Sequence, residues 1–319
     1  MPAGSGAIIV HQALASSLSG YRLCPYPSRM EYFPFLMGLC CREHAEVVHT
    51  TPDHGIFFAG KGRSLILTFH NYYLDSFMQA YSTPFQRLHY RTDLRLFTRL
   101  SLARAEVVTA VSEFTARRMA KDMRYGGPVR VIRNGVDVEF FRPSGSKRTG
   151  RDIKVLFCGN RTKRKGFHYL KDIANLLDKN ITLYCIGPRK SRRNVTHPGI
   201  KMMPPVPHQQ MPALYASMDL LLLPSVREGL SLAVLEAMAC GLPVVATRAS
   251  SMPEVITDQE GGFLCGVGEV EAFAEKINLL AEDSSLRRRM GSFNRYRVET
   301  EFRLESMIQS YRNLFEQLL

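Results

Sequence analysis

The sequence predicts an α/β protein built of two doubly wound, parallel-sheet domains. Three observations carry this. Short apolar, β-branched runs alternate with helical patterns along the whole chain, the mark of βαβ units. At 319 residues with 45% hydrophobic content, the chain has enough apolar surface for two cores of ordinary size. The run Arg142-Pro143-Ser144-Gly145-Ser146-Lys147-Arg148-Thr149-Gly150-Arg151 is polar and rich in turn formers, so it reads as a linker.

In the first domain, strands are predicted at Glu46–His49, Ser64–Phe69, Glu106–Val111 and Val129–Ile132, with a helix over Phe85–Ala103. In the second they are predicted at Ile153–Cys158, Thr182–Gly187, Asp219–Leu223 and Pro243–Thr247, with helices over Phe167–Leu177 and Met211–Ser217. After Pro224, Leu232, Leu235 and Ala239 recur at helical spacing until Gly241 and Pro243 stop the helix. The chain ends in an amphipathic segment, Arg303–Leu319.

Composition narrows the function classes. The net charge is +13, and residues 1–150 hold 19 Lys and Arg against 11 Asp and Glu, the remainder 23 against 18. Such a field draws in nucleic acid, anionic lipid or phosphorylated substrates. No zinc motif, recognition helix or aromatic platform accompanies it, so no nucleic-acid partner is expected. The seven cysteines are scattered, with no Cys-x-x-Cys pair, and read as thiols of a reducing compartment. The apolar runs are too short to span a bilayer and Met1-Pro2-Ala3-Gly4 lacks a signal-peptide start, so a cytoplasmic protein is expected. The sequons at Asn180 and Asn194 are discounted accordingly.

Two segments stand out chemically. Glu228 falls in the loop after the strand that ends at Leu223, and Glu236 on the helix that the loop opens. A helix N-terminus offers unpaired backbone N–H groups and partial positive charge, which suits a pyrophosphate. On the residues alone, two glutamates eight apart also fit a solvated surface. After Cys158 comes Gly159-Asn160-Arg161-Thr162-Lys163-Arg164-Lys165-Gly166, a glycine turn with four cations. Phosphate suits that arrangement, and so does a solvated basic loop. His70 stands at the carboxyl tip of the strand Ser64–Phe69, where a histidine is as a rule structural; His54 and His89 lack even that context. Arg87, Arg91, Arg95 and Arg99 repeat every four residues along the helix predicted over Phe85–Ala103. A solvated face explains them, and so does contact with anionic lipid or a polyprenyl-phosphate-linked acceptor.

The stretch from Glu228 to Glu236, with the following Ala237-Met238-Ala239-Cys240-Gly241-Leu242-Pro243-Val244-Val245-Ala246-Thr247, resembles the Glu-x7-Glu signature of the family-4 retaining glycosyltransferases. Ala103-Arg104-Ala105-Glu106-Val107-Val108-Thr109-Ala110-Val111-Ser112 resembles that family's Ala-Asp-x-Val-x-x-Val-Ser strand, and Asn134-Gly135-Val136-Asp137 with Phe141 and Pro143 its Asn-Gly-Val-Asp-x-x-x-Phe-x-Pro element. The resemblance implies the GT-B fold, two Rossmann-like doubly wound domains facing a central cleft. Residues 1–145 are then the acceptor-side domain, 146–302 the nucleotide-sugar-binding domain, and 303–319 a helix packing back on the first.

The implied activity is transfer of a hexose-type sugar from a nucleotide diphosphate donor to an acceptor hydroxyl, with retention of configuration. No cofactor is implied, and without an Asp-x-Asp motif metal independence is expected. By resemblance, Arg161 and Lys165 hold the diphosphate, with Arg164 able to take over from Arg161. Glu236 holds the ribose, Glu228 with Gly229 and Leu230 the sugar and its phosphate, and backbone near Val206 the base. His70 orients sugar or acceptor; Tyr215 and Asp219 position the next strand. The implied partners are a nucleotide sugar, an acceptor that is a glycan, lipid-linked or small, and an anionic membrane touched peripherally at its inner face.

Gly4-Ser5-Gly6 resembles the family's glycine loop, which would bring Gly4 and Gly6 near a phosphate or acceptor, but no strand precedes it. The first domain is therefore expected to lack its first strand. That departure motivates a second reading, a pseudoenzyme that holds a sugar nucleotide or a partner without turnover. A GT-B sugar-nucleotide epimerase is a third.

Overall fold

The computed structural model describes residues 6–26, 30, 37, 45–60, 62–143, 152–187 and 196–319. The chain divides into two compact units, Met1–Asn134 with Glu305–Leu319, and Gly135–Leu304. The division falls ahead of the polar run 142–151, of which 144–151 lie outside the described residues. Its physical reason is the segment that follows Asn134. Val136 N–H donates to the Phe302 carbonyl at 2.9 Å and Leu304 N–H to the Val136 carbonyl at 3.0 Å. A Cβ at Gly135 would meet the Arg303 carbonyl oxygen, so only glycine allows the approach. Arg295 then donates to the Val138, Phe141 and Ala239 carbonyls, which fixes the strap within the second unit.

In the first unit, α1 (Gly6–Ser17) precedes β1 (Val47–Thr50) and β2 (Ser64–Phe69). They are followed by α2 (Pro84–Arg91), α3 (Asp93–Leu102), β3 (Val107–Ala110), α4 (Glu113–Met123) and β4 (Val129–Val131). The four described strands are parallel and lie in sequence order β1-β2-β3-β4. Leu65, Leu67, Phe69, Val108 and Ala110 pack under Leu94, Ala116 and Met119 of the helices. The single helix expected over Phe85–Ala103 is corrected to two, broken at Thr92 (φ −107°, ψ −102°), whose hydroxyl turns back onto the Leu88 carbonyl. Arg87 and Arg91 therefore belong to α2, none of whose residues is buried, and Arg95 and Arg99 to α3.

The second unit carries β5 (Ile153–Cys158), α5 (Leu170–Asn175), β6 (Ile181–Ile186), β7 (Ile200–Met203), α6 (Met211–Ala216) and β8 (Leu220–Leu223). Then come α7 (Leu232–Ala239), β9 (Val244–Thr247), α8 (Met252–Val255), β10 (Gly262–Cys265), α9 (Val270–Glu282) and α10 (Ser284–Glu301). The sheet order is β10-β9-β8-β5-β6-β7, all parallel. Its centre is β8, four leucines with no exposed surface, as a strand covered on both faces requires. The chain builds outward from β5 to β7, then returns to the other side of β5 with β8. This is a topological switch point, where loops diverge and leave a crevice at the carboxyl ends of the strands. The last helix, α11 (Leu304–Glu316), belongs to the first unit, where Tyr311 reaches Thr68 at 3.3 Å and Gln317 accepts from Arg130 at 2.7 Å. Among the described residues, no helix is long and apolar enough to cross a membrane.

Candidate functional site

The two loops that leave the switch point, 159–166 after β5 and 224–231 after β8, are laced together. Val226 N–H donates to the Arg164 carbonyl at 2.9 Å, and Arg164 Nη1 to the Arg227 carbonyl at 2.9 Å. Gly166 adopts φ +72°, and a Cβ there would run into the Pro224 carbonyl oxygen. The close approach brings Lys165 Nζ within 2.7 Å of Glu228 Oε1, with Arg164 Nη1 at 3.8 Å. Glu228 is held from behind as well. Its N–H donates to Ser250 Oγ at 3.0 Å, and Ser251 Oγ donates to its carbonyl at 3.3 Å.

Glu236 lies one turn into α7, whose N-cap Ser231 makes no side-chain capping bond. Tyr215 Oη donates to Glu236 Oε2 at 2.8 Å. Cys158, the last residue of β5, feels both Glu236 and the Lys165 that pairs with Glu228. The field of Glu236 pushes its thiol up and that of Lys165 pulls it down, with burial the largest cause of its rise to about 11. The carboxylates therefore share one neighbourhood, yet they titrate in opposite directions. Burial raises Glu236 to about 7, only partly offset by the Tyr215 hydroxyl. Burial also works against ionised Glu228, but the charges of Lys165 and then Arg164 outweigh it and hold the carboxyl below its ordinary value. At neutral pH Glu228 is fully ionised beside its cations, while Glu236 is near half-protonation.

A family model described as Glycosyltransferase Family 4 matches residues 13–140, and one described as Glycosyl transferases group 1 matches residues 152–283. The chain belongs to these glycosyltransferases. Among curated relatives, it is 40% identical over 106 residues to the N-acetyl-α-D-glucosaminyl L-malate synthase of Bacillus anthracis, covering 33% of this chain and 28% of that protein. It is 27% identical over 218 residues to the D-inositol 3-phosphate glycosyltransferase of Corynebacterium jeikeium, covering 60% and 52%. The chain thus spans about half the length, or less, of the curated relatives it matches. Among solved structures, it resembles a sucrose-phosphate synthase from Thermosynechococcus elongatus with a TM-score of 0.79 at 19% identity, covering 92% of this chain and 80% of that one. Anabaena HepE in complex with UDP-glucose gives 0.74 at 20% identity, covering 93% and 85%. These likenesses show the fold, two parallel-sheet α/β domains of the GT-B type.

The residues singled out by sequence are distributed as follows. Arg164, Lys165, Glu228, Gly229, Leu230 and Glu236 lie on the two loops and the helix of the switch point, with Glu228, Gly229 and Leu230 all buried. Arg161 is also buried but sits toward β6, over Gly187, whose missing Cβ makes room for its guanidinium. Val206 is half-buried in the segment after β7. His70 follows β2 in the first unit, with Nε2 3.3 Å from His11 Nε2. Gly6 opens α1, while Gly4 lies outside the described residues.

Sequence reasoning missed the partners. Tyr215 was expected only to position a strand, yet it bonds Glu236 directly. Asp219 does the strand work, accepting from the Lys154 N–H at 2.8 Å. Ser250 and Ser251 fix Glu228 from the loop after the neighbouring strand β9, and no local pattern marks them. Among the described residues, no group of three His, Cys, Asp or Glu side chains is placed to hold a metal ion.

Proposed function

We propose that this chain transfers a sugar from a nucleoside diphosphate donor to an acceptor hydroxyl, with retention of configuration and without a metal. One observation carries the reading: Lys165, with Arg164 beside it, is paired to buried Glu228 at the switch point, next to the uncapped start of α7. The diphosphate takes the cations and the backbone N–H groups of α7, and its arrival turns Glu228 from Lys165 toward the sugar. As the bond from the anomeric carbon to phosphate oxygen breaks, negative charge grows on the leaving group where fixed cations already stand. The acceptor oxygen attacks from the same face, and its proton passes to the departing phosphate. Arg161 adds positive field from the β6 side, Glu236 accepts from the ribose, and backbone near Val206 receives the base. His70 orients the sugar or the acceptor. HepE, a structural neighbour, binds UDP-glucose, which supports a donor of this class.

The test is release of nucleoside diphosphate from a panel of nucleotide sugars headed by UDP-glucose, with anomer analysis and added chelator. Wild type is expected to turn over with retention in chelator, and Glu228→Gln to lose on the order of 100-fold. Thermal shift by the panel without turnover would replace this reading with that of a binder that does no chemistry.

Contact with an anionic membrane is part of the proposal. Phe85 and Leu88 of α2 are 72% and 62% exposed, and Leu96 and Leu100 of α3 are exposed too, interleaved with Arg87, Arg91 and Arg99. Exposed apolar side chains among arginines match a headgroup region better than bulk water. Cys24, Cys158, Cys185, Cys240 and Cys265 are in no disulfide, which supports a reducing compartment, so we place the reaction on the cytoplasmic face.

A further inference from the structure

Three histidines distant in sequence meet in the first unit. Tyr21 joins His11 on α1 to His49 on β1, His11 meets His70 after β2 directly, and His49 leads on to Thr68, Thr109 and Tyr311. Each link is short enough to be a hydrogen bond, and the donors can be counted from one fixed end.

The fixed end is the Leu67 carbonyl, which can only accept. Thr109 Oγ1 donates to it at 3.3 Å, which uses the single hydroxyl proton of Thr109. The 2.6 Å contact between Thr68 and Thr109 is therefore donated by Thr68. With its own proton spent, Thr68 accepts from His49 Nε2 at 2.6 Å and from Tyr311 Oη at 3.3 Å. A neutral imidazole that donates at Nε2 is bare at Nδ1, so Tyr21 Oη donates to His49 Nδ1 at 3.0 Å. Tyr21 in turn accepts from His11 Nδ1 at 2.6 Å. That leaves His11 bare at Nε2, where it accepts from His70 Nε2 at 3.3 Å.

We infer that this chain of donors fixes which nitrogen of His70 carries the proton, leaving Nδ1 bare to accept from a substrate hydroxyl. His11, Tyr21, His49, Thr68 and Thr109 are thus positioning residues for His70. The role given to His70 rests on the reaction proposed above; the sense of the chain does not. The counting requires neutral rings, and the surroundings supply that. Burial, then the neighbouring imidazoles His49 and His70, push His11 far below its ordinary value. Burial and then His70 hold His49 at about 3, and burial holds His70 at about 4. Were the chain to run the other way, Thr109 would forfeit the Leu67 carbonyl and His70 would present a donor instead.

The test begins without turnover. Long-range proton–nitrogen correlation of the 15N-histidine-labelled full chain at neutral pH reads each tautomer. Nε2–H is expected for His49 and His70, and Nδ1–H, the form an isolated imidazole disfavours, for His11. A His11 in the Nε2–H form, or any of the three protonated, overturns the inference. Tyr21→Phe removes the hydroxyl that accepts from His11 and donates to His49. It is expected to shift the His70 tautomer and lower kcat on the order of 10- to 100-fold, with donor KM within about twofold. Phe315→Leu perturbs the same packing, 5.6 Å from the Tyr21 ring, without touching a hydrogen bond, and is expected to leave tautomers and kcat unchanged. An equal fall in both variants would reduce the network to packing. If the chain turns over no donor, the proposed reaction fails and the tautomers alone decide the relay.

Discussion

Glu236 should make the folded protein less stable as pH rises, and removing its charge should relieve this. Its carboxyl is raised from 4.5 to about 7, with burial the cause and the 2.8 Å bond from Tyr215 the partial remedy. Between those values the folded chain holds a proton that the unfolded chain has released. The stability tied to that proton is intact below pH 4.5 and gone above about 7. Each pH unit of that window costs about 1.4 kcal/mol, so the whole loss is about 3 kcal/mol. Glu236→Gln keeps the shape and an oxygen for Tyr215 but cannot ionise. Whatever fixed cost the amide brings, the stability difference between variant and wild type should move in the variant's favour by about 3 kcal/mol between pH 4.5 and about 8.5. Urea unfolding at both pH values reads this directly. A difference constant to within about 0.5 kcal/mol would show that Glu236 carries no burial cost, and the electrostatic description of the site would be wrong. The same variant should bind nucleoside diphosphate more weakly, because under the proposed reaction the ribose hydroxyls donate to the carboxylate. Stability sacrificed for a ligand contact is a common arrangement in sites of this kind.

Two further outcomes test the scaffold and the surface. Gly166→Ala forces a side chain into a backbone at φ +72° and against the Pro224 carbonyl; it should cost more than about 2 kcal/mol in urea unfolding and abolish thermal shift by UDP-glucose. Unchanged stability would mean the two switch-point loops are not pinned there. The pair Arg87→Glu with Arg91→Glu lies on a helix with no buried residue, so folding should survive. Flotation with anionic vesicles should fall at least about tenfold, since each charge near such a surface is worth roughly 1 kcal/mol. Equal flotation would detach α2 from the membrane proposal.

What the sequence revealed follows from how local each signal is. β2 and β5 were readable to the residue, because each is six residues long with an apolar run inside it, Leu65–Leu67 and Val155–Cys158, and is bounded by polar or glycine-containing turns. β7 and β10 were not. Ile200–Met203 and Gly262–Cys265 are four residues each, the second opening on a glycine, and such short runs show no period. The break at Thr92 left no mark, since threonine is ordinary in helices and the kink is in the backbone. Within the site, Glu228, Glu236 and the cations were singled out by the family resemblance, since on the residues alone each also fits a solvated surface. Their partners were not, because Ser250, Ser251 and Tyr215 come from other elements, brought alongside only by the fold. The histidine relay was hidden for the same reason, with His11 and His70 separated by 59 positions.

The opposed titration of Glu228 and Glu236 shows why spacing alone does not define such a site. Both carboxylates are buried, both lie within a turn or so of the same helix start, and burial pushes both upward. Only Glu228 meets cations, and these come from the other loop of the switch point, delivered by the Gly166 turn against Pro224. Two carboxylates are thus driven to different protonation states by surroundings that the strand order supplies. The consequence is directional. A ligand that brings negative charge to Lys165 and Arg164 takes from Glu228 what keeps it ionised, and so raises its proton affinity at the moment of binding. A ligand that brings hydroxyl donors to Glu236 lowers the proton affinity there. A nucleoside diphosphate carrying a ribose does both, so its binding narrows the gap between the two titrations and, because Glu236 titrates at about 7, draws a proton off Glu236 near neutral pH. Calorimetry of nucleoside diphosphate binding in buffers of different ionisation enthalpy should therefore show proton release near pH 7 that Glu236→Gln abolishes.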